Sequence, residues 1–142
     1  MGGLSAFMAQ NAKKVENIKV AVSDRFTDVN GKPIDWDVRC ITSGEDEVLR
    51  RDCTRRVPVP GKRNQYTQEL DTNLYLSKFA AACTVFPNLN DAELQDSYKV
   101  KTPEALISAM LSPGEYAAYV DRLQVLCGFD RSLNDQVDEA KN

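Results

Sequence analysis

The chain has 142 residues, of which 42% are hydrophobic and 27% are charged, and its formal net charge is −3. A chain of this length and composition can build one soluble domain with a real hydrophobic core. The small negative charge argues against a general attraction to nucleic acid or to an anionic membrane surface.

Residues 1–17 are predicted to form a leading arm. Leu4, Phe7 and Met8 lie at positions i, i+3 and i+4, which places them in one apolar stripe on a short helix. Because so short a helix is marginal in isolation, the arm must pack on its own domain or on a partner. We expect packing on its own domain, and we keep the three side chains as candidate partner-binding residues.

Residues 18–41 have the alternation of a β-hairpin. Apolar side chains recur at every second position from Ile18 to Val22 and again from Ile34 to Cys40. Two strands alone are marginal, so this hairpin must lie against helices or gain another strand.

The register of this hairpin depends on its turn. A three-residue turn over residues 29–31 pairs Val22 with Val38 and places both apolar sets on one face, with Gly31 in a left-handed conformation. A two-residue turn would pair Val22 with Arg39 and separate the two sets. Since one buried face fixes the register, we predict the three-residue turn. The other pairs in that register are Phe26 with Ile34 and Val20 with Cys40.

Residues 42–128 are predicted to form a helical body. Its first helix begins at the capping box Thr42-x-x-Glu45 and extends to about Arg56. Acidic side chains come first in this segment and arginines come last, which complements the helix dipole. The apolar stripe is thin, so we expect one side of this helix to face water.

Residues 57–69 are predicted to be an extended connector, because proline recurs at positions 58 and 60. With the preceding helix end, the connector carries the cations Arg55, Arg56, Lys62 and Arg63. These are candidate partner-binding residues for an acidic or nucleic-acid surface. The alternative, which we favour, is an ordinary solvated helix end and loop.

Residues 71–86 are predicted to form the central helix of the fold. Asp71 is a suitable N-cap, and Lys78 is the only charged residue after it. A helix with almost no polar face is typical of the buried centre of a domain. Pro87 is expected to end this helix by excluding Phe86 from helical backbone.

Three further helix starts follow. They are Asn90-x-x-Glu93, Thr102-Pro103 and the capping box Ser112-x-x-Glu115. The last of these helices carries a broad apolar stripe and should end at Gly128. Residues 129–142 are an acidic, weakly amphipathic tail, predicted to be either a frayed helix or a mobile segment.

These elements predict an α+β fold that is mostly α-helical, in which the N-terminal β-hairpin packs on a bundle of about five helices. One domain would span residues 1–142. It is divided into the arm (1–17), the hairpin (18–41), the helical body (42–128) and the tail (129–142).

No set of residues suggests catalysis. The chain has no histidine and no nucleophile-elbow, phosphate-loop or dinucleotide-binding motif. Cys40, Cys53, Cys83 and Cys127 are widely spaced, so we predict that they are small buried apolar residues in a reducing cytoplasm. We therefore predict a binding or assembly protein and no enzyme. We expect no cofactor, metal, secretory leader or membrane span.

Four segments taken together resemble one protein family. They are residues 5–11 (SAFMAQN), 53–62 (CTRRVPVPGK), 82–95 (ACTVFPNLNDAELQ) and 111–116 (LSPGEY). In this order they are similar to the XkdN-like phage tail assembly chaperones of contractile-tailed phages, and of prophages and phage-like particles of Gram-positive bacteria. The likeness extends over nearly the whole chain, and none of the four segments is a mechanistic motif.

The resemblance implies a non-enzymatic helper in the cytoplasm of the bacterial host that is absent from the finished tail. It implies binding to the tape measure protein, which is thereby kept soluble, and assistance to the tail tube protein as it polymerises. It further implies a longer, frameshifted form of the same protein as a partner. No catalytic or binding residue carries over from the family.

Two other functions stay open on the sequence. A nucleic-acid adaptor would use the arginines and lysines of residues 50–63, and its binding would weaken steeply as salt rises. A minor structural subunit of the tail would be found in purified particles.

Overall fold

A computed structural model describes residues 3–13 and 17–129 of the chain. The helices in this part are α1 (Ser43–Asp52), α2 (Thr72–Cys83), α3 (Ala92–Ser97), α4 (Pro103–Met110) and α5 (Pro113–Leu126), with a short 3₁₀ helix at Gly3–Phe7. The strands are β1 (Ile18–Val20), β2 (Trp36–Val38), β3 (Thr54–Pro58), β4 (Tyr66–Leu70) and β5 (Thr84–Phe86). The predicted α+β, mostly helical class is confirmed.

Helix α2 is the buried centre of the fold, as predicted. Its N-cap Asp71 accepts a hydrogen bond from the Leu74 amide at 3.2 Å. Helices α1, α4 and α5 pack around it. Its buried residues are Tyr75, Leu76, Phe79, Ala80 and Cys83. Because neighbours cover it on several sides, the helix needs no polar face.

Helix α2 ends three residues earlier than predicted. Its last residue is Cys83, and Thr84–Phe86 forms β5 instead of a final helical turn. The Thr84 hydroxyl donates to the Ala80 carbonyl at 2.7 Å, which satisfies one of the carbonyls left over at the helix end. Val85 and Phe86 favour extended backbone, and Phe86 also precedes a proline, so strand pairing is preferred to another helical turn.

Strand β5 completes a three-stranded antiparallel sheet in the order β1-β2-β5. The hairpin therefore gains the additional strand that was one of the two predicted supports. Val20, Trp36 and Val38 are buried, so the apolar alternation identified the inner face correctly. Trp36 packs edge-on against Tyr119 of α5, with ring centroids 5.3 Å apart, and this contact joins the sheet to the helices.

The predicted turn of the N-terminal hairpin is confirmed. The Ile34 amide donates to the Phe26 carbonyl at 2.9 Å, as the three-residue turn requires. Gly31 has a φ of +79°, in the left-handed region that favours glycine.

The predicted register of the two strands is wrong. Val20 pairs with Trp36 instead of Cys40, and Val38 pairs with Ile18 instead of Val22. The difference between positions 40 and 36 is four, an even number, so the side chains of the paired residues stay on their predicted faces. The register changes because residues 21–25 leave the strand between β1 and the turn.

A second hairpin, β3–β4, occupies most of the predicted connector. Its strands are antiparallel and hold five residue pairs in continuous register. The first predicted helix is correspondingly shorter, since α1 ends at Asp52 and Arg55 and Arg56 lie in β3. Apolar alternation did not predict these strands, because neither of them has a fully buried residue. Pro58 is tolerated at the end of a strand in a two-stranded ribbon.

Most of the predicted helix starts are confirmed. Thr42 and Ser112 complete capping boxes, and Thr102 caps α4 ahead of a proline at the first helical turn. The exception is α3, whose N-cap is Asp91 and not Asn90. Aspartate and asparagine are about equally good N-caps, so the sequence alone does not choose between these neighbours.

The end of α5 also agrees with the sequence. Gly128 follows the helix with a φ of +91°, as expected of a glycine C-cap. Phe129 packs edge-on against Phe79, with ring centroids 6.4 Å apart, so this first residue of the predicted tail contributes to the core. The remainder of that tail, residues 130–142, lies outside the described residues.

Two arginines tie the hairpin region to two helix starts. Arg39 forms two hydrogen bonds with Glu45, the third residue of α1, at 2.8 and 3.2 Å. Arg25 bonds Glu115, at the equivalent position of α5, at 2.7 Å. These bonds, assisted by the backbone amides of the capping boxes, lower the pKa of both carboxyl groups to about 2. Arg25, the side chain that reaches α5, therefore comes from residues 21–25, which leave the strand between β1 and the turn.

We expect Phe79→Ala to lower the free energy of unfolding by about 3–5 kcal/mol, because it empties a site at the centre of the core. Phe79 is 1% exposed, whereas Phe7 is 83% exposed. The control Phe7→Ala should therefore change the stability by less than about 0.5 kcal/mol. Urea denaturation of both variants checks this, and equal stabilities would show that α2 is not the centre of the fold.

Gly31→Val is expected to destabilise the hairpin by about 1–3 kcal/mol, because a β-branched residue is strained at positive φ. Val29→Thr, a β-branched substitution two positions away at a fully exposed site, should change stability by less than about 0.5 kcal/mol. Thermal unfolding of the two variants provides the measurement. Equal melting temperatures would contradict the turn assignment.

Stability should decrease as the pH falls from about 4.5 towards 2. Glu45 and Glu115 have a lower pKa in the folded protein than the ordinary 4.5, so their ion pairs stabilise the fold above that value and are lost on protonation. The double variant Glu45→Gln/Glu115→Gln should melt at a lower temperature than the wild type at neutral pH. Its melting temperature should fall less than that of the wild type on acidification. Glu47→Gln, an exposed control in α1, should follow the wild-type profile. Parallel profiles for wild type and double variant would argue against this role.

Candidate partner-binding site

The apolar stripe of the N-terminal arm is exposed. Leu4 and Phe7 lie in the 3₁₀ helix with exposed fractions of 76% and 83%, and Met8 is also exposed. Residues i and i+3 align in a 3₁₀ helix, so Leu4 and Phe7 share one side. No residue of Gly3–Phe7 is buried, so the predicted packing of the arm on its own domain is wrong for the described residues. Residues 1, 2 and 14–16 of the arm lie outside the description.

The predicted cations do not form one patch. Arg55 and Arg56 are adjacent in β3, so their side chains leave opposite faces of the ribbon. Arg55 lies 3.8 Å from the Asp71 carboxylate, and Arg56 stacks over the Tyr66 ring at 4.1 Å. Lys62 is exposed in the turn between β3 and β4. The basic residues are therefore dispersed along the hairpin.

A cleft that the sequence did not predict lies between the N-terminal hairpin, the end of β5 and helices α3 and α4. Its volume is about 190 Å³. Its lining residues are Phe26, Ile34, Trp36, Phe86, Pro87, Leu94 and Met110. None of these side chains carries a charge, and we call this feature the apolar cleft. It can receive apolar side chains of a partner without stranding a buried charge.

The depth and rim of the apolar cleft differ in exposure. Trp36 and Met110 are buried and belong to the core. Phe86 is 50% exposed, and Ile34 is also partly exposed. A half-exposed phenyl ring beside a buried floor offers an edge that a partner side chain can cover.

Arg25 holds one wall of the apolar cleft in place. Its guanidinium group lies 5.1 Å from the centre of the Phe26 ring and also donates to the Met110 carbonyl. The same group forms the ion pair with Glu115. One arginine therefore connects two lining residues to the start of α5, which makes the cleft a built feature of the fold.

The apolar cleft was missed because it depends on two unpredicted features. Phe86 reaches it only as the end of β5, and this segment was assigned to a helix. Leu94 and Met110 come from separate helices whose packing the sequence does not specify. The available signal was the run Val85-Phe86-Pro87, in which two large apolar residues precede a helix breaker.

Three of the four cysteines converge, which their spacing did not predict. The Sγ atoms of Cys83 and Cys127 are 4.0 Å apart, and the Cys40 thiol donates to the Leu126 carbonyl at 3.0 Å. All four cysteines are free. Burial raises the pKa of the Cys83 and Cys40 thiols, so both are protonated at neutral pH. Within the described residues, no group of three or more histidine, cysteine or acidic side chains is arranged to hold a metal ion.

These features define a class of protein. The described part of the chain is a small α+β fold whose surface carries an exposed apolar arm and an apolar cleft. No helix in that part is long and apolar enough to cross a bilayer. Such surfaces are typical of proteins that bind or assemble other proteins.

The family follows from comparison with known proteins. The sequence model of the phage XkdN-like tail assembly chaperone proteins matches residues 4–141. The chain therefore belongs to the XkdN-like phage tail assembly chaperone family, and the predicted resemblance is confirmed. Membership supports a role in phage tail assembly.

Two relatives come from Bacillus subtilis strain 168. The phage-like element PBSX protein XkdN is 31% identical over 140 residues, covering 98% of this chain and 93% of the relative. The uncharacterized protein YqbN shows the same identity and coverage. A crystal structure of the protein YqbN is similar to this fold with a TM-score of 0.77 and 27% identity, and it covers 92% of this chain and 99% of that one.

Proposed function

We propose that this protein is a non-enzymatic cytoplasmic chaperone that binds an apolar-striped helical segment of a tape measure protein and keeps it soluble during tail assembly. Family membership supports the assembly role. The single observation that carries the binding mode is the apolar cleft, an uncharged concavity on the surface of a well-packed domain.

The apolar cleft suits a helical partner. An amphipathic helix presents large side chains at i, i+3 and i+4, and such side chains are the usual anchors in an apolar groove. The half-exposed Phe86 ring would cover the side of an inserted anchor, while the buried Trp36 ring forms the floor. The exposed arm can add Leu4, Phe7 and Met8 to the same apolar surface.

The expected affinity of one such site is modest. About 400 Å² of shared apolar surface would contribute about 10 kcal/mol at about 25 cal/mol per Å². Association costs about 4–15 kcal/mol, so little remains for a single small contact. A long partner offers several sites in series, and several copies of the chaperone would then cover it.

The nucleic-acid alternative gains no support from the arrangement of the basic residues. Arg50 is engaged by Asp46 at 2.9 Å and lies 4.5 Å from the centre of the Tyr75 ring. Arg55 and Arg56 point away from each other across the ribbon. A phosphate backbone is best bound by cations that share one face.

The same proposal includes the remaining partners. The tail tube protein would be the second client, and a frameshifted longer form of this chain would act beside the short one. The chaperone would leave before the particle is complete, so purified particles should lack it. Reading the codons near Lys141 and Asn142 tests the longer form, because a slippery run is required.

We expect co-expression with the tape measure protein of the same phage to raise the soluble fraction of that protein. Phe86→Asp should abolish the effect, because a carboxylate at the rim of the apolar cleft would be desolvated by the partner. Phe7→Asp should reduce it. The exposed control Val125→Asp, which lines neither apolar surface, should behave as the wild type. The readout is the amount of tape measure protein in the soluble fraction.

The complex should also persist at about 0.5 M salt, where exposed charges are screened within a few ångströms. Dissociation of the complex at that salt would show that electrostatic attraction, and not apolar burial, holds the two proteins together. A wild-type protein that fails to raise the soluble fraction would overturn the proposed function. If Phe86→Asp raises the soluble fraction as well as the wild type does, the binding surface lies outside the apolar cleft.

A further inference from the structure

The protein exposes two apolar surfaces that are not covered within one copy. The arm presents Leu4 and Phe7 to solvent, and the apolar cleft presents half of the Phe86 ring. Exposed apolar surfaces of this kind on a soluble protein mark interaction sites. We propose that they cover each other between two copies: the arm of one copy inserts Phe7 into the apolar cleft of a second copy, and the exchange is reciprocal.

The two surfaces match in charge and polarity. Residues 3–12 of the arm, GLSAFMAQNA, contain no charged side chain. The lining of the cleft contains none either. Insertion of the arm therefore buries no unpaired charge on either side, which would otherwise oppose binding strongly.

The two surfaces also match in size. An apolar cavity of about 150 Å³ is large enough to bind benzene. The apolar cleft has a volume of about 190 Å³ and can accept the phenyl ring of Phe7. Aromatic rings at Phe26, Trp36 and Phe86 would surround that ring and permit edge-to-face contacts.

The shape of the arm directs two side chains at the cleft together. Leu4 and Phe7 align on one side of the 3₁₀ helix. With Phe7 inserted, Leu4 would lie one turn, about 6 Å, along the helix and could cover the exposed edge of Phe86. Met8 would follow at the rim, where a flexible thioether adapts to an irregular surface.

The arm precedes the sheet that carries the cleft: its short helix ends at Phe7, and β1 begins at Ile18. Strand β1 pairs with β2, and Val20 lies opposite Trp36 at the floor of the cleft. The arm therefore leaves from the same sheet that carries the cleft, so two copies related by a two-fold axis can exchange arms in a closed pair.

A second copy is the favoured occupant because the arm does not fill the cleft of its own chain. Phe7 remains 83% exposed there. Reciprocal exchange makes two identical contacts for one association step, which a single docked arm does not. Each contact is small compared with a standard interface, so the pair should be weak and concentration-dependent. Under the proposed function, a bound partner would take the place of the arm in the cleft, and the released arm would then lie against the partner beside it.

Sedimentation equilibrium of the full chain over about two decades of concentration tests the exchange without any tape measure protein. The wild type should shift from monomer to dimer. Phe7→Asp and Phe86→Asp should each weaken the association at least tenfold, and Val125→Asp should not. An equimolar mixture of the two weakened variants should associate better than either alone, because one intact arm then meets one intact cleft.

Trp36 supplies a second readout, because it is the only tryptophan of the chain and forms part of the cleft. Its emission should change with concentration in the wild type and stay constant in Phe7→Asp. A synthetic peptide of residues 1–12 should lower the dimer fraction of the wild type, and the same peptide with Phe7→Asp should not. The peptide experiment uses only the wild-type protein, so misfolding of Phe86→Asp would not affect its result.

Three outcomes would overturn the exchange. If the wild type stays monomeric at every concentration, a second copy does not occupy the cleft. A Trp36 emission that is independent of concentration but altered by Phe7→Asp places the arm in the cleft of its own chain. A dimer that is unaffected by Phe7→Asp uses another surface. None of these outcomes bears on the solubility of the tape measure protein, so the proposed function is tested separately.

Discussion

The constraint on which the structure depends is the broad apolar side of helix α2, which has to be kept from water. Tyr75, Phe79 and Cys83 follow one another along one side of it at i, i+4 and i+8, and Leu76 and Ala80 lie beside them. All five side chains are buried. Helices α1, α4 and α5 must therefore surround α2, and β5 must leave its end at once to join the sheet. The rest of the fold is arranged to keep a largely apolar cylinder dry, which is the main source of its stability.

The polar contacts then fix how these covering elements are oriented. Arg39 and Arg25 each bind the glutamate of a capping box, so two loops of the hairpin region are tied to the starts of α1 and α5. Exposed ion pairs of this kind contribute little energy individually, but bidentate and capping geometry selects one orientation. Arg25 additionally touches Phe26 and Met110, and in this way the same polar contact shapes the apolar cleft.

Local signals of the chain predicted local structure well. The capping boxes at Thr42 and Ser112, the proline after Thr102 and the glycine turn at Gly31 all depend on a few adjacent residues. The candidate site was predicted less well. The apolar stripe of the arm was visible in its spacing, but its exposure was not predicted. The separation of Arg55 and Arg56 depends on β3, a strand without the apolar alternation that would have predicted it.

The sequence alone determined the class of fold, the buried helix and the family, because periodicity, capping and segment order are carried by neighbouring residues. Only the tertiary structure decided the strand register, the end of α2 at Cys83 and the apolar cleft. Each of these results from contacts between residues far apart in the chain. Pro87 disfavours helical backbone at Phe86, but only the pairing of Phe86 opposite Asp37 of β2 makes its segment a strand.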